Sequence, residues 1–305
     1  MKILVTGGAG YIGTELVGEL ARWPDVSEIV VYDNLSRRNH NLFLAERLPA
    51  KSIRFIRGDV LDTRGLKKAL DGVGAVYHLA ARVTTPFADA DFHGLDQVNH
   101  WGTAELSYLL EESPVEHIVY VSSASVYGAS EEPVGGGDPT DPKTAYGISK
   151  LRGEQMLERL GGRSRLHIVR CANVYGYSRS MRFDAVINRF LFEAHYSGRI
   201  TIHGSGHQRR GFIHVRNAAR ALAKMVLQPV EPGAHDLVER NLSVLEITSH
   251  LQDLYPELEM LFLQQDIKLR NLAIRQDDKL AGLFEAGDFA EQLRDFKTHF
   301  AFTPA

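Results

Sequence analysis

A short apolar strand at the start of the chain runs directly into a glycine-rich turn. Residues 2–6 read Lys-Ile-Leu-Val-Thr, glycines follow at Gly7, Gly10 and Gly13, and residues 14–22 form an amphipathic stretch. Glycine permits a tight turn and lets backbone N–H groups approach an anion without a Cβ in the way. The positive end of the following helix then faces that anion. The pattern predicts a turn that holds a dinucleotide pyrophosphate, in preference to an ordinary structural turn.

An acidic residue ends the second apolar strand, at residues 29–32. Asp33 lies twenty residues beyond Gly13, where a carboxylate accepts hydrogen bonds from the adenosine ribose hydroxyls. The same carboxylate repels a 2′-phosphate, so the expected dinucleotide is NAD. Arg37 and Arg38 keep NADP as the alternative.

The composition excludes several classes of partner. The chain has 305 residues, of which 44% are hydrophobic and 24% charged, with a formal net charge of −3. This balance argues against nucleic acid or an anionic membrane as a partner, and no apolar run approaches the roughly 18 residues of a membrane span. Cys171 is the only cysteine, and the chain enters a strand with no room for a signal peptide. We therefore expect a cytoplasmic protein without an internal disulfide.

Apolar strand-like runs alternate with helical patterns in the first half of the chain. The strands are expected at residues 3–5, 29–32, 53–56, 76–79, 117–122 and 166–170, and the helices at 14–22, 64–70, 95–112 and 145–160. This alternation predicts an α/β fold, a doubly wound Rossmann parallel sheet with helices on both faces. Ligands bind such sheets at the carboxyl ends of the strands.

The rhythm loosens after about residue 172, which predicts a second, smaller α/β domain. Helices are expected at 182–196, 216–227, 278–283, 289–298 and from 243 onward, with strands at 199–203 and 235–238. The predicted domains are an NAD-binding domain over 1–172 and a substrate domain over 173–305, partly interleaved around 205–227.

A phenol and an ammonium lie four residues apart near the start of the helix predicted at 145–160. At this spacing Tyr146 and Lys150 share one helix face. A neighbouring cation, and an oxidised nicotinamide beside it, lower the pKa of a tyrosine from its usual value of about 10. An exposed Tyr–Lys pair is the simpler interpretation of so short a pattern. However, Ser122 and Ser123 end the strand just upstream, where a hydroxyl can bond a substrate oxygen, and this context favours catalysis.

Motifs spread over roughly the first 220 residues resemble the extended short-chain dehydrogenase/reductase family, in its NAD-dependent epimerase/dehydratase group acting on nucleotide sugars. They are residues 6–13, Gly58-Asp59-Val60, His78-Leu79-Ala80-Ala81, Asn99, 121–128, 146–150, Asn173-Val174-Tyr175-Gly176 and 204–215. The motifs occur in the family's order. The resemblance is specific for the family and much less specific for the substrate.

The resemblance implies a set of site residues. The catalytic residues would be Ser123, Tyr146 and Lys150, and the substrate would contact Ser123, Asn173 and Arg210, with the arginine on the diphosphate. Asp33 would bind the ribose and Asp59-Val60 the adenine. The full set implied for the cofactor is Gly7, Gly10, Tyr11, Ile12, Gly13, Asp33, Asn34, Asp59, Val60, Leu79, Ala80, Ala81, Asn99, Tyr146 and Lys150.

Three positions depart from the family's pattern. Tyr177 stands where the family usually has proline, and Gly211 and Asn217 stand where it has aspartate. We expect these changes to affect the sugar-nucleotide side and to leave the hydride chemistry intact. Dehydratases of this group also carry an Asp-Glu pair after the active-site hydroxyl residue, whereas this chain has Ala124-Ser125.

The resulting expectation is a nucleotide-sugar epimerase that acts at C4 through a transient 4-keto sugar with tightly bound NAD. A nucleotide-sugar 4-reductase or dehydrogenase of the same family is the alternative. A 4,6-dehydratase or a non-catalytic, cofactor-sensing relative is less favoured. The partner is then a nucleotide-diphosphate sugar, and the resemblance implies a homodimer formed by the helices at 95–112 and 145–160.

Clustered polar residues raise the possibility of a metal site. Asp89, Asp91, His93 and Asp96 lie within one segment, and His203 and His207 are four residues apart in a glycine-rich turn. In a turn, that spacing does not guarantee that two side chains share one face, so we expect solvated or substrate-contacting polar side chains and no metal.

Overall fold

The computed structural model describes residues 1–44, 52–83, 91–264 and 270–302. The strands in chain order are β1 (Lys2–Thr6), β2 (Glu28–Asp33), β3 (Ser52–Arg57), β4 (Ala75–His78), β5 (His117–Ser123), β6 (Arg165–Cys171), β7 (Asn173–Tyr175), β8 (Arg199–His203), β9 (Arg209–His214), β10 (Gly233–Leu237), β11 (Arg240–Ser243) and β12 (Glu259–Leu263). The α-helices are α1 (Tyr11–Leu20), α2 (Thr63–Ala69), α3 (Phe92–Leu95), α4 (Gly102–Glu111), α5 (Ala145–Glu158), α6 (Val186–Ser197), α7 (Val215–Leu227), α8 (Val244–Leu254) and α9 (Phe289–Thr298).

Seven parallel strands form the main sheet, in the order β10-β6-β5-β4-β1-β2-β3. Successive residues of its central strand β1 point to opposite faces and meet different cores. Ile3 and Val5 pack with residues of α1 and α7, while Leu4 packs with residues of α2, α4 and α5. The predicted doubly wound sheet with helices on both faces is confirmed.

A smaller region is built on the β11-β9-β7 sheet and the β12-β8 pair. Its own core contains Ile187 of α6, Ile247 of α8 and Leu293 of α9. The strand predicted at 235–238 is β10, which pairs with β6 at the edge of the main sheet. The chain therefore returns to the main sheet after forming part of the smaller region. The domain boundary at 172/173 stays a prediction.

The helix predicted at 95–112 is wrong as a single α-helix. The chain forms α3, then a π-helical turn over Asp96–Trp101, then α4. Gly102 lies at the junction, and a Cβ there would come within 2.6 Å of Cγ2 of Val60. Close packing against the turn after β3 therefore accompanies the change of helical pitch.

The later elements follow the predictions less closely. The helix predicted at 278–283 is only a 3₁₀ turn over Asp278–Leu280, and the glycine-rich turn at 204–215 contains the strand β9. None of the helices in the described ranges combines the length and apolarity needed to span a bilayer. Trp101 and Tyr108 are exposed on the predicted dimer face, and the homodimer stays a prediction.

Candidate active site

The turn between β1 and α1 leaves no space for side chains at its glycines. Gly7 has a φ of +71°, and a Cβ there would lie 2.6 Å from the backbone nitrogen of Ala80. A Cβ on Gly13 would lie 2.4 Å from the carbonyl oxygen of Gly7. The backbone therefore approaches β4 and its own turn at distances that only glycine permits.

The N-terminus of α1 is open to an anion. Gly10 is its N-cap, and within the described residues no side chain caps this end and no acidic residue lies in its first turn. The first backbone N–H groups of a helix need acceptors, and the helix dipole favours a negative one. This cradle fits the pyrophosphate of a dinucleotide.

Tyr11 and Ile12, implied as cofactor residues, lie in the first turn of α1. The Tyr11 hydroxyl donates to the carbonyl of Gly176 at 2.6 Å and accepts a hydrogen bond from Asn188 at 3.1 Å. Burial raises the pKa of this phenol far above its usual range. The side chain of Tyr11 therefore fastens the loop after β7 to the glycine turn, and its backbone is what remains for a cofactor.

Asp33, Asn34 and Asp59 come together at the carboxyl ends of β2 and β3. Asp33 accepts hydrogen bonds from the backbone N–H groups of Ala9 at 3.0 Å and Leu35 at 2.8 Å. Asn34 donates to Asp59 at 2.8 Å. Each Asp33 oxygen still has a free lone pair, so the carboxylate can accept from ribose hydroxyls while the backbone fixes its position.

The segment after β4 borders the glycine turn. The backbone N–H of Leu79 donates to Thr6 at 3.1 Å, which holds Leu79 and the following Ala80 and Ala81 beside β1. Asn99 is fully buried, and its amide bonds both backbone groups of Arg82 and the Ser149 hydroxyl, each at 2.8–2.9 Å. The side chain of Asn99 thus links this segment to α5. The buried Val60 packs against Gly102.

Ser123, Tyr146 and Lys150 meet at the carboxyl end of the main sheet. Ser123 ends β5, and its Oγ accepts hydrogen bonds from the Ser125 backbone at 3.2 Å and the Ser125 hydroxyl at 2.9 Å. Tyr146 hydrogen-bonds Ser123 through its hydroxyl. The ammonium of Lys150 is buried, 4.3 Å from the centre of the Tyr120 ring. The three predicted catalytic side chains therefore share one site.

The protonation of this group is set mainly by burial. The pKa of Tyr146 does not show the decrease expected from a neighbouring cation. Burial raises it above its usual value, and the charge of Arg182 and the hydrogen bond with Ser123 act against that increase. Burial lowers the pKa of Lys150 to about 7, with Glu154 acting in the opposite direction. Arg182 is thus a cation acting on the phenol that sequence reasoning missed, because its loop carries no recognisable motif.

The predicted substrate residues lie on neighbouring strands. Asn173 of β7 donates to the carbonyl of Gly211 at 3.0 Å, and Arg210 precedes that glycine on β9. Arg210 also forms a β-bridge with Leu272, which places Arg270 on the adjacent segment. Burial and the charge of Arg270 lower the pKa of Arg210. Two neighbouring arginines form a site for an anion, and sequence reasoning missed Arg270.

Two of the three departures from the family pattern have structural causes in the C-terminal part of the chain. Tyr177 stacks on His299 with ring centres 3.6 Å apart. A Cβ on Gly211 would already meet Ile274 at 3.0 Å and Val238 at 3.2 Å, so an aspartate does not fit without movement. Both positions make packing contacts with the C-terminal part of the chain, and the expected effect on the sugar-nucleotide side stays a prediction.

The third departure, Asn217, has an electrostatic cause. Its amide donates to Oε2 of Glu239 at 3.1 Å and to the carbonyl of Glu285 at 2.9 Å. An aspartate at this position would offer an acceptor where two acceptors already lie. The amide is therefore the residue that this environment requires.

The suspected metal ligands make contacts within the protein. Asp91 caps α3 at Gly94 and pairs with Arg82 at 2.7 Å, and Asp96 pairs with Arg152 at 2.7 Å. Asp89 lies outside the described residues. Across the four described ranges, no group of three His, Cys, Asp or Glu side chains could hold a metal ion.

Comparison with known proteins gives a consistent family. The model of the NAD dependent epimerase/dehydratase family matches residues 3–238. A dTDP-D-glucose 4,6-dehydratase from Mus musculus is 29% identical over 267 residues, covering 84% of this chain and 73% of the mouse protein. A putative UDP-glucose 4-epimerase from Methanocaldococcus jannaschii is 31% identical over 233 residues, covering 72% of this chain and 71% of that protein.

A solved structure extends the similarity to the whole fold. The UDP-glucuronic acid 4-epimerase from Bacillus cereus, in complex with UDP-glucuronic acid and NAD, superposes with a TM-score of 0.84. The two sequences are 25% identical, and the superposition covers 98% of each chain. The chain is thus similar to both epimerases and dehydratases that act on nucleotide sugars.

Proposed function

Because the chain belongs to the NAD dependent epimerase/dehydratase family, we propose that it is an NAD-dependent nucleotide-sugar 4-epimerase. The observation that carries this proposal is the grouping of Ser123, Tyr146 and Lys150, followed by Ala124-Ser125 where a dehydratase has two carboxyl groups. The site has a phenol for one proton transfer. It lacks the Asp-Glu pair with which the related dehydratases eliminate water.

Three side chains have separate roles in the proposed reaction. Tyr146 takes the proton from the C4 hydroxyl and later returns it, while Ser123 hydrogen-bonds the same oxygen. Lys150 binds the nicotinamide ribose and contributes positive charge near the phenol. NAD, when bound, would supply the acceptor and donor for the hydride of C4. The sugar rotates within the site between the two transfers, so that the hydride returns to the opposite face of C4.

The diphosphate is the part of the substrate that can stay bound while the sugar rotates. Arg210 and Arg270 lie on adjacent segments and supply two guanidinium groups for its oxygens. A firmly held nucleotide diphosphate with a loosely held sugar permits rotation without release. The nucleotide-diphosphate sugar is accordingly the proposed partner.

Incubation without added cofactor tests the proposal. The purified protein is assayed for bound nicotinamide and then mixed with UDP-, dTDP-, GDP- and CDP-sugars, with proton NMR as the readout. The expected result is interconversion of one pair of C4 epimers. Formation of a 4-keto-6-deoxy sugar would identify a dehydratase. Conversion that requires added reduced cofactor, and consumes one equivalent of it per sugar, would identify a 4-reductase. Tight cofactor binding without turnover across the panel would favour a non-catalytic protein.

A further inference from the structure

Helix α5 carries a third ionisable side chain on the face that bears Tyr146 and Lys150. Glu154 lies one turn beyond Lys150, at the spacing that places both on the same side of the helix. Its side chain is fully buried. A carboxylate in such a position is costly unless it is paired and hydrogen-bonded.

Two adjacent residues of the main sheet satisfy this carboxylate. Arg170 of β6 donates through Nε and Nη2 at 2.8–3.3 Å, and the Ser122 hydroxyl of β5 donates to Oε1. Ser122 and Arg170 face each other in the β5–β6 register, and the next register pair is Ser123 with Cys171. Glu154 therefore clamps α5 to the sheet one residue before the predicted catalytic serine.

The arginine is fixed from its other side as well. Its Nη1 donates to the Tyr127 hydroxyl at 2.9 Å, and that hydroxyl donates to Asp236 of β10 at 3.0 Å. Burial lowers the pKa of Arg170 while its bonds to Glu154 raise it, and the net direction is upward. The guanidinium thus stays charged, and the pair keeps one geometry.

The surroundings of Lys150 offer a single source of negative charge. The groups that act on it electrostatically are His78 of β4, Cys171 of β6 and Glu154, while Tyr120 of β5 presents its ring. Burial lowers the pKa of His78 to about 3 and raises that of Cys171 to about 12, so both side chains are neutral near pH 7. Within the described structure, Glu154 is the one carboxyl group among them.

We propose that Glu154 is a positioning residue for the proposed reaction: its carboxylate keeps the proton on Lys150 and ties α5 to the strands that carry Ser123. The inference rests on the proposed function, since it concerns how the proposed Lys150 is kept charged. Removing the carboxylate removes the charge that opposes the effect of burial on Lys150. Lys150 would then lose its proton at a lower pH, and with it the charge that the phenol and the nicotinamide ribose require.

Three variants separate charge from packing. Glu154→Gln removes the carboxylate but leaves Arg170 buried and unpaired, so it can fail to fold. Glu154→Gln combined with Arg170→Gln removes both charges and relieves that penalty. Glu154→Asp keeps the carboxylate while shortening the side chain. The readout is the titration of the Lys150 amine by NMR of ¹⁵N-lysine-labelled protein, with the signal assigned through Lys150→Met.

The titration gives a result whether or not the protein turns over a sugar. We expect the Lys150 pKa to fall in Glu154→Gln and to stay closest to the wild-type value in Glu154→Asp. The double variant should show a smaller decrease than Glu154→Gln, because it also removes the positive charge of Arg170. The alkaline limb of the pH–rate profile should move by the same amount. If Lys150 titrates as in the wild type in folded Glu154→Gln, or in the double variant where Glu154→Gln does not fold, the proposal is wrong. Failure of the proposed function would appear separately, as a wild-type protein without epimerase activity.

Discussion

At position 217 the chain has an amide where the family pattern implies a carboxylate, and the contacts of Glu239 account for the amide. Glu239 has a fully buried side chain, and Oε2 accepts from the Asn217 amide and from the His214 backbone. Its other oxygen accepts from the Gly287 backbone at 3.2 Å. One side chain thus joins α7, β9 and the C-terminal segment, which constrains what its neighbours can be.

Replacing Asn217 with the residue typical of the family should therefore destabilise the fold. Asn217→Asp removes two donated hydrogen bonds and adds a negative charge beside Glu239, which we expect to lower the free energy of unfolding by about 1–3 kcal/mol. Urea unfolding at neutral pH measures the change. An unaltered midpoint would contradict the interpretation of Glu239 as the cause of this departure.

The phenol of Tyr146 is the residue on which the proposed chemistry depends. Tyr146→Phe removes the hydroxyl that bonds Ser123, and turnover should fall by about 10²–10⁴ if this group is the acid and base. Tyr196→Phe on α6 is the matched control and should leave turnover unchanged. Retention of NAD by both variants would show that the cofactor site is intact. Near-normal turnover in Tyr146→Phe would remove Tyr146 from its role.

At the scale of the element, local sequence patterns predicted the main sheet better than the smaller region. The strands β1 to β6 have apolar runs of their own. The strand predicted at 199–203 has the same bounds in the structure, and α9 begins and ends where its amphipathic pattern does. Four strands, β7, β9, β11 and β12, were missed because distant partners create them. Their residues carry too little local signal to identify a strand.

The π-helical turn before α4 shows the same limit. Gly102 packs closely against Val60 where this turn ends, and no periodicity in residues 95–112 reveals that contact. The predicted glycine turn and the Ser123–Tyr146–Lys150 group depended on local spacing and could be recognised from the sequence. Arg182 and Arg270 were missed because only the tertiary fold brings them to the site. Glu154 stands at helical spacing from Lys150, but its role depends on its contacts with the main sheet.

A pair of glycine substitutions tests the packing at this turn. Gly102→Ala would place a Cβ 2.6 Å from Val60, and we expect a loss of about 1–3 kcal/mol of stability. Gly18→Ala in α1 is the control, because a Cβ there meets nothing within 4 Å, and it should stabilise the protein by about 0.5–1 kcal/mol. Thermal or urea unfolding gives both values. Equal effects of the two substitutions would refute the explanation.

At the scale of the whole molecule, buried histidines distributed over the sheets link stability to pH. Burial is the largest cause that lowers the pKa of His78 to about 3 and those of His167 and His214 to about 4. An unfolded histidine titrates near 6.5, so above that pH both states are neutral and the contribution to stability is complete. As the pH falls from 6.5 toward 4, the unfolded chain binds protons that the folded protein does not, and stability decreases.

Unfolding in urea across this range checks the sign and the source. The free energy of unfolding should decrease steadily between about pH 6.5 and about pH 4. His167→Phe removes one buried titrating group and should make that decrease shallower, whereas His207→Phe, at an exposed site, should not change it. An identical pH dependence in all three proteins would contradict the assignment.

The fate of a deuterium atom at C4 tests the central claim most directly. A nucleotide sugar labelled with deuterium at C4 is incubated with the protein as purified, and the product is examined by NMR. The account predicts the C4 epimer with deuterium still at C4, because the hydride leaves and returns within one site. Deuterium found at another carbon of the sugar, or lost to solvent, would contradict it.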